Sequence, residues 1–419
     1  MKTHLGIQGD RFTINGKLTY AEIPEVNEAS LGLLWNQRLV QGVFDDAQDR
    51  SRFDQFKAGV FDPERNTQEL IAALPEWYAH GMRAITVCFQ GGWPVGHVPV
   101  ETIENNPFGA DGCSLDPAYA RRMDKIIRAA DELGMIVIVS LLYWAQANRL
   151  TDGRAVMNAV KTGGAFLRDG GYTNVILEVA NEYSISPFRG HPIIHEAEGM
   201  AALIAIAREA SGGVPVGCSG GGGEMHREVA EASDVVIVHG NGQTRGEYYD
   251  FLRKVKAWAK GKPVLCNEDS PCATRVDVAL ETETSWGYYN NYTKQMPPAD
   301  YGITQGEDTF FARRIARAVG IPVPELPESD QYVLQGLEAW TEFGGMRTIR
   351  LAADFPETVD YVDFYLDGEK IYRSYDEPFF LDREATWLGT PRIVKPGSEW
   401  MARVRLCNGK VIEKTAKAN

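Results

Sequence analysis

Long apolar runs are missing from this 419-residue chain: no window approaches the roughly eighteen consecutive apolar residues of a membrane-spanning helix. Cationic charge is short as well. Against 57 Asp and Glu stand 43 Lys and Arg, a formal net charge of -14, which repels nucleic acid and anionic membranes and suits a neutral or weakly charged partner. The opening segment, MKTHLGIQGDRF, has none of the basic, apolar and small-residue zones of a secretory signal. A soluble chain is expected, cytoplasmic or exported with its leader removed. Cysteine is sparse and unpatterned: Cys88, Cys113, Cys218, Cys266, Cys272 and Cys407 show neither metal-ligand nor small-scaffold spacing. Cys88, Cys218 and Cys266 sit in apolar runs, where a thiol behaves as a small hydrophobe, so reduced structural thiols are expected, with Cys266 and Cys272 the one pair close enough to bridge. Several catalytic signatures are absent too. No GxSxG elbow occurs, which removes the commonest esterase reading. The glycine-rich CSGGGGEM (218–225) has no Walker lysine and no GxGxxG spacing, and HPIIHEAE offers His191, His195 and Glu196 without the HExxH order of a zinc site. No metal and no cofactor are expected.

What is present is ordinary in bulk, 44% hydrophobic and 24% charged, so neither disorder nor a fibrous repeat is indicated. From about 67 to 319, helix-period stretches (67–80, 117–133, 154–168, 195–210, 246–259, 308–319) alternate with short apolar runs. The runs are LTYAEI (18–23), RAITVCF (83–89), MIVIVSLL (135–142), NVILEVA (174–180), VPVGCS (214–219), DVVIVH (234–239), KPVLCN (262–267) and SWGYY (285–289). Eight such strands with interleaved helices predict an α/β fold, a (β/α)8 barrel, whose usual length is about 250 residues. A hairpin, RFTINGKLT, precedes the first strand and a long insertion, 24–66, follows it. Residues 321–330, IPVPELPESD, with three prolines and three acids, read as a stiff linker. Beyond it, apolar and polar residues alternate around Asp-Gly and Asn-Gly turns, the signal of antiparallel hairpins. The predicted domains are a catalytic barrel over 1–325 and a small β-sandwich over 326–419.

Two acids carry the chemistry. VILEVANE ends in Asn181-Glu182 where a buried strand opens to solvent, and KPVLCNE ends in Glu268. Strand parity groups Glu178, Ala180 and Glu182 on one face, and Val264, Cys266 and Glu268 on another. If these faces point inward, Glu182 and Glu268 crown the C-terminal mouth of the barrel, where active sites of this fold lie. Two carboxylates flanking a glycosidic bond are what glycoside hydrolysis requires. Asp269 is a rival to Glu268, but parity turns it away.

LEVANEY followed by VLCNED resembles glycoside hydrolase clan A, the retaining β-glycosidases and cellulase-like enzymes, and RFTINGKLTY is similar to the entry hairpin of many members. The resemblance implies Glu182 as acid/base, Asn181 as the partner of the sugar 2-hydroxyl and Glu268 as nucleophile, with a carbohydrate substrate. A departure is Tyr183, where the clan usually has Pro. The segment VDFYLDGEKIYRSYDEPFFLD resembles immunoglobulin-like modules appended to carbohydrate-active enzymes.

Further candidates surround the pair. His239 and Asn241 follow the sixth strand in VIVHGNG; a His there either donates to the nucleophile or a sugar hydroxyl or is a loop His satisfied by backbone, and Asn241 is a substrate-binding candidate. Trp286 resembles the clan's stacking aromatic, and Tyr288, Tyr289, Tyr143, Trp144 and Trp93 are candidates to extend it. Gln90 follows the second strand and has reach to a hydroxyl. In the insertion, Asn36, Asp45, Asp46 and Arg38 are polar candidates, Arg38 binding a sugar oxygen, holding Glu268 ionised or bridging two loops; Glu22 ends the first strand. The competing readings are a noncatalytic carbohydrate-binding barrel and a metal-dependent barrel hydrolase or lyase.

Overall fold

The computed structural model describes residues 1–53, 61–91, 99–290, 293–295, 299–342 and 345–419. It is a mixed α/β protein. Strands β1 (Leu5–Gln8), β2 (Arg11–Ile14) and β3 (Lys17–Leu18) form an antiparallel meander turning at Asn15-Gly16, both at positive φ. The run 18–23, expected as the first parallel strand, is the end of this meander. Tyr20 has a φ of 69°, and its hydroxyl donates to the Gly81 carbonyl at 3.0 Å and accepts from Trp35 N at 3.1 Å. The tight turn keeps the run in the hairpin, and Glu22 pairs with Arg83 at 2.9 Å as a half-exposed acid. The first parallel strand is instead β4 (Asn36–Arg38), inside the expected insertion.

Seven more parallel strands follow: β5 (Ala84–Cys88), β6 (Ile136–Leu142), β7 (Val175–Ala180), β8 (Val216–Gly217), β9 (Val236–His239), β10 (Val264–Glu268) and β11 (Gly287–Tyr288). Between or after them run α1 (Pro63–Ala79), α2 (Pro117–Leu133), α3 (Trp144–Ala147), α4 (Gly153–Asp169), α5 (Pro192–His195), α6 (Ala197–Ala210), α7 (Arg227–Ala232), α8 (Arg245–Ala259), α9 (Arg275–Thr282) and α10 (Glu307–Val319). Asp62-Pro63 and Asp116-Pro117 start α1 and α2 alike. Each aspartate accepts from a backbone N–H of the first turn, and each proline occupies the first helical position, where no donor is needed.

Six strands pair in the order β11-β4-β5-β6-β7-β8, and β9 pairs with β10. Backbone hydrogen bonds meet at both junctions: Asp234 N reaches Val216 O at 2.7 Å beyond β8, and Cys266 N reaches Ser285 O at 2.9 Å beside β11. Alternation along the strands sorts side chains into two sets. One packs on the helices, with Val87, Val139, Val179, Cys266, Trp286 and Tyr288 among them. The other forms a separate apolar cluster of Leu34, Ala84, Ile136, Ile138, Ile176, Ile237 and Leu265 with Phe12 of β2 against it. Two residues further along these strands, the second set becomes polar (Asn36, Thr86, Ser140, Glu178, Asn267), all buried. The layer is close-fitting: a Cβ on Gly287 would lie 2.0 Å from Asn36 Oδ1.

The C-terminal part is all β. Strands β14 (Val359–Leu366), β15 (Glu369–Ser374), β18 (Glu399–Leu406) and β19 (Val411–Lys417) form an antiparallel sheet ordered β15-β14-β18-β19; β12 (Tyr332–Gln335) pairs with β13 (Arg350–Ala353), and β16 (Arg383–Ala385) with β17 (Leu388–Gly389). Asp367-Gly368, both at positive φ, make the expected turn between β14 and β15. Val362, Phe364, Leu351, Phe379, Trp400 and Val404 form a core of its own. All six cysteines are free. Among the described residues no helix is long and apolar enough to cross a membrane.

The two parts are joined along α10. Asp354 receives Arg313 at 3.3 Å and Arg317 at 2.6 Å, Arg314 binds Glu357 at 2.8 Å, and Arg350 meets Glu307. Removing one partner of a buried pair leaves the other charge uncompensated. Asp354→Ala is therefore expected to cost about 3 kcal/mol, read as a lower urea midpoint in equilibrium unfolding, with Asp354→Asn falling between it and the wild type.

Candidate active site

Glu182 lies two residues beyond β7 at a φ of 57°, a left-handed backbone that costs a non-glycine residue about 1–3 kcal/mol. Hydrogen bonds hold it there: Glu182 N donates to Ser219 Oγ at 3.1 Å, Tyr183 N to Ser219 O at 2.9 Å, and Asn181 N to Leu142 O at 2.9 Å. Glu268 ends β10, where the pairing with β9 is irregular: Cys266 faces Val238, but Glu268 faces His239, so one residue is skipped. The irregularity overturns the expected shared face. Cys266 packs on the helix side, and Glu268 turns into the mouth with His239 and Asn241.

The two acids meet. His239 Nδ1 is 3.0 Å from Glu182 Oε1 and 3.7 Å from Glu268 Oε2, and one oxygen of each carboxylate and this nitrogen all lie within 4.8 Å of one another. Arg38 Nε sits 2.9 Å from Glu268 Oε2, and Asn241 Nδ2 donates to Glu268 Oε1 at 2.7 Å. The same guanidinium donates to Asn181 Oδ1. These contacts divide the pair. Burial pushes the Glu182 carboxyl up; the His239 hydrogen bond opposes this, the charge of Glu268 adds to it, and the net shift is upward. Burial would raise Glu268 as well, but Arg38, His239 and the Asn241 donor outweigh it and hold the group below the ordinary carboxylate range. His239 is lowered by burial and raised more by the two carboxylates. Spacing alone would let Glu182, His239 and Glu268 ligate a cation. Arg38 already supplies the positive charge beside Glu268, however, and both Glu268 oxygens have partners.

Arg38, Tyr143, Trp144, Asn181, Glu182, Asn241, Glu268 and Tyr289 line one cavity of about 330 Å³. Tyr289 also lies under Arg38, 5.2 Å from ring centroid to guanidinium. Other candidates are elsewhere. Trp286 is fully buried, donates from Nε1 to Asp269 Oδ2 at 2.8 Å and packs against Phe311 of α10. Its parity is that of Tyr288, on the helix side, so the aromatic that reaches the mouth is Tyr289. Gln90 has both amide ends engaged, Nε2 with Asn106 Oδ1 at 2.9 Å and Oε1 with Tyr143 N at 2.7 Å. It positions the Tyr143 loop and does not face the cavity. Asp269 points away from Glu268, toward Arg275 and Trp286, but on the helix side where Cys266 packs and not on the opposite face that parity gave. Asp45 and Asp46 pair with Arg50 and Arg52, and Asn36 is in the buried polar layer. Trp93 lies outside the described residues.

Sequence reasoning missed Pro187, Gly222, Gln295 and Trp387, which also line the cavity. Gly222 had a signal in the glycine run that was read only against phosphate binding: a Cβ there would lie 2.1 Å from Asn241 O, so the run lets its loop approach Asn241. Trp387, from the C-terminal part, had none.

No protein-family model and no curated protein sequence matches the chain. Among solved structures it is similar to an endo-β-1,4-mannanase from Thermotoga petrophila, at 14% identity over 92% of this chain and 97% of that one, with a TM-score of 0.43. A β-mannanase from the blue mussel Mytilus edulis aligns at 11% identity over 76% of this chain and 97% of that one, with a TM-score of 0.47. Bacteroides uniformis β-glucuronidase 2 aligns at 11% identity over 100% of this chain but 48% of its own, with a TM-score of 0.44, so this chain spans about half its length. Each is a loose likeness in the path of the backbone.

Carboxyl-labelled glutamate followed by NMR is expected to titrate Glu182 above, and Glu268 below, the ordinary value of 4.5. Arg38→Met removes the cation that favours ionised Glu268, so the Glu268 titration moves upward in that variant.

Proposed function

We propose that the chain is a retaining glycoside hydrolase acting on β-linked oligo- or polysaccharides, with a (β/α)8 barrel over 1–325 and a C-terminal β-sandwich over 326–419. The observation that carries this reading is the glutamate pair, within 4.8 Å at the C-terminal ends of two parallel strands and with opposite protonation tendencies. Such closeness fits retention, for which the carboxyl groups stand roughly 5–5.5 Å apart, better than inversion at roughly 6.5–9.5 Å. The sequential neighbouring of eight parallel strands, with hydrogen bonds at both junctions between the two sheets, supports the barrel.

In the proposed reaction Glu268, ionised beside Arg38, attacks the anomeric carbon while Glu182 gives its proton to the departing glycosidic oxygen. A covalent glycosyl ester on Glu268 forms. Glu182, now a carboxylate, takes a proton from water as the water attacks the same carbon and frees Glu268. Asn181 has its oxygen engaged by Arg38, which leaves its NH2 to donate to the sugar 2-hydroxyl. Activity falls as pH drops through the lowered Glu268 value, and falls again as pH rises through the raised Glu182 value.

A screen of aryl β-glycosides and plant or algal polysaccharides tests the reading. Glu268→Ala is expected to lose activity, and azide to restore it with formation of a glycosyl azide of inverted anomeric configuration. Glu182→Gln is expected to lose about 10²–10⁴-fold on poor leaving groups and far less on activated aryl ones. Unchanged activity in both variants would instead mark a noncatalytic barrel. Activity is also expected to survive a chelator such as EDTA; inactivation would favour a metal held by Glu182, His239 and Glu268.

A further inference from the structure

The turn of the β16–β17 hairpin is Thr386-Trp387, and it reaches from the C-terminal part to the mouth of the candidate site. Thr386 Oγ1 accepts from Gly242 N at 3.0 Å and shares a hydrogen bond with Ser270 Oγ at 2.8 Å. Gly242 directly follows Asn241, and Ser270 stands two residues after Glu268, so the turn is tied to both segments that hold the second carboxylate. Trp387, beside it, is half-buried and lines the same cavity as Glu182 and Glu268. Nearby, Glu377 accepts from Ala273 N at 2.5 Å and from Thr274 Oγ1 at 2.6 Å, which fixes the C-terminal part to the segment after β10. At the hairpin base, a Cβ on Gly389 would lie 2.4 Å from Thr348 Cγ2, so the hairpin lies close on its own core.

A large ring held at a cavity wall by bonds from its neighbour, with one part of its surface still open, suits contact with the C–H face of a sugar better than closure of a core. Tyr143 and Trp144, 5.7 Å apart, supply aromatic surface on another wall of the same cavity, and the expected aromatic Trp286 is buried elsewhere. Resting on the glycosidase reading above, we infer that Trp387 is a sugar-stacking residue, so that the C-terminal unit completes the substrate site and takes part in selecting the saccharide bound there.

The test uses the full chain with Trp387→Leu, which keeps apolar packing but removes the ring, and Trp387→Phe, which keeps a ring. The probes are 4-nitrophenyl β-glycosides and cello-, xylo- and mannohexaose, with binding measured calorimetrically in a Glu268→Gln background. For the hexasaccharide that the wild type cleaves, Trp387→Leu is expected to raise KM and Kd about tenfold, while Trp387→Phe stays within about threefold and both unfold at the wild-type temperature. KM and Kd of Trp387→Leu within about twofold of wild type for every probe overturn the inference. So does equal loss in the Phe and Leu variants together with a lowered unfolding temperature, which is a packing role. If hydrolysis depends on Glu268 but not on Trp387, this inference alone fails. If the wild type neither cleaves nor binds any of these saccharides, the functional reading fails and takes this one with it.

Discussion

Arg38, almost fully buried, holds one oxygen of Glu268 at 2.9 Å and donates to Asn181, and this contact decides which of two neighbouring acids keeps its charge. Both carboxylates share one cavity, and burial pushes both toward the neutral form. Arg38 and His239 favour the charged form of both, but the guanidinium and the Asn241 amide touch Glu268 directly, whereas Glu182 is bonded to the imidazole of His239. The cost of taking a lone charge out of water makes the asymmetry steep. It also makes the site a property of the whole parallel assembly. Arg38 comes from β4, Asn181 and Glu182 from the end of β7, His239 and Asn241 from β9 and its loop, and Glu268 from β10, so four strands must hold their relative heights.

The alternation of strands and helices was legible from period alone, and so was the meeting of Glu182 with Glu268 from two apolar runs each ending in an acid. The helix at 117–133 runs where its pattern put it, because Asp116 and Pro117 announce the start and Gly134 the stop. What escaped reading has physical reasons. Strand β4 is Asn-Gln-Arg, a polar triplet with no hydrophobic signal, because its inward residues belong to the buried polar layer and the charged mouth. The skipped residue in β10 reverses a parity argument without leaving a mark in the residue types. Trp286 and Tyr289 differ by an odd number of places, so an aromatic run that gives the right strand gives the wrong face for its tryptophan. Contacts between parts of the chain, such as Trp387 at the cavity, follow no local period.

The C-terminal part is not merely appended. Helix α10 presents Glu307, Arg313, Arg314 and Arg317 to it, while Glu377 and Thr386 reach back to the segments after β9 and β10. One junction is a set of ion pairs along α10 and the other a set of hydrogen bonds to the segments after β9 and β10. The candidate site is therefore braced from behind by its own strands and from the side by a separately cored unit.

Gly287 shows how narrow the tolerances are. Its missing side chain makes room for the Asn36 amide, which is itself bonded to the Cys266 carbonyl at 3.0 Å. Asn36 and Arg38 are neighbours on one short strand, two places apart and on the same face. A single added carbon at position 287 would thus press on the residue below the guanidinium, and a shift of a few tenths of an ångström there would reach the proton balance of the mouth. Acid–base tuning in this molecule is set in part by a residue that carries no functional group at all.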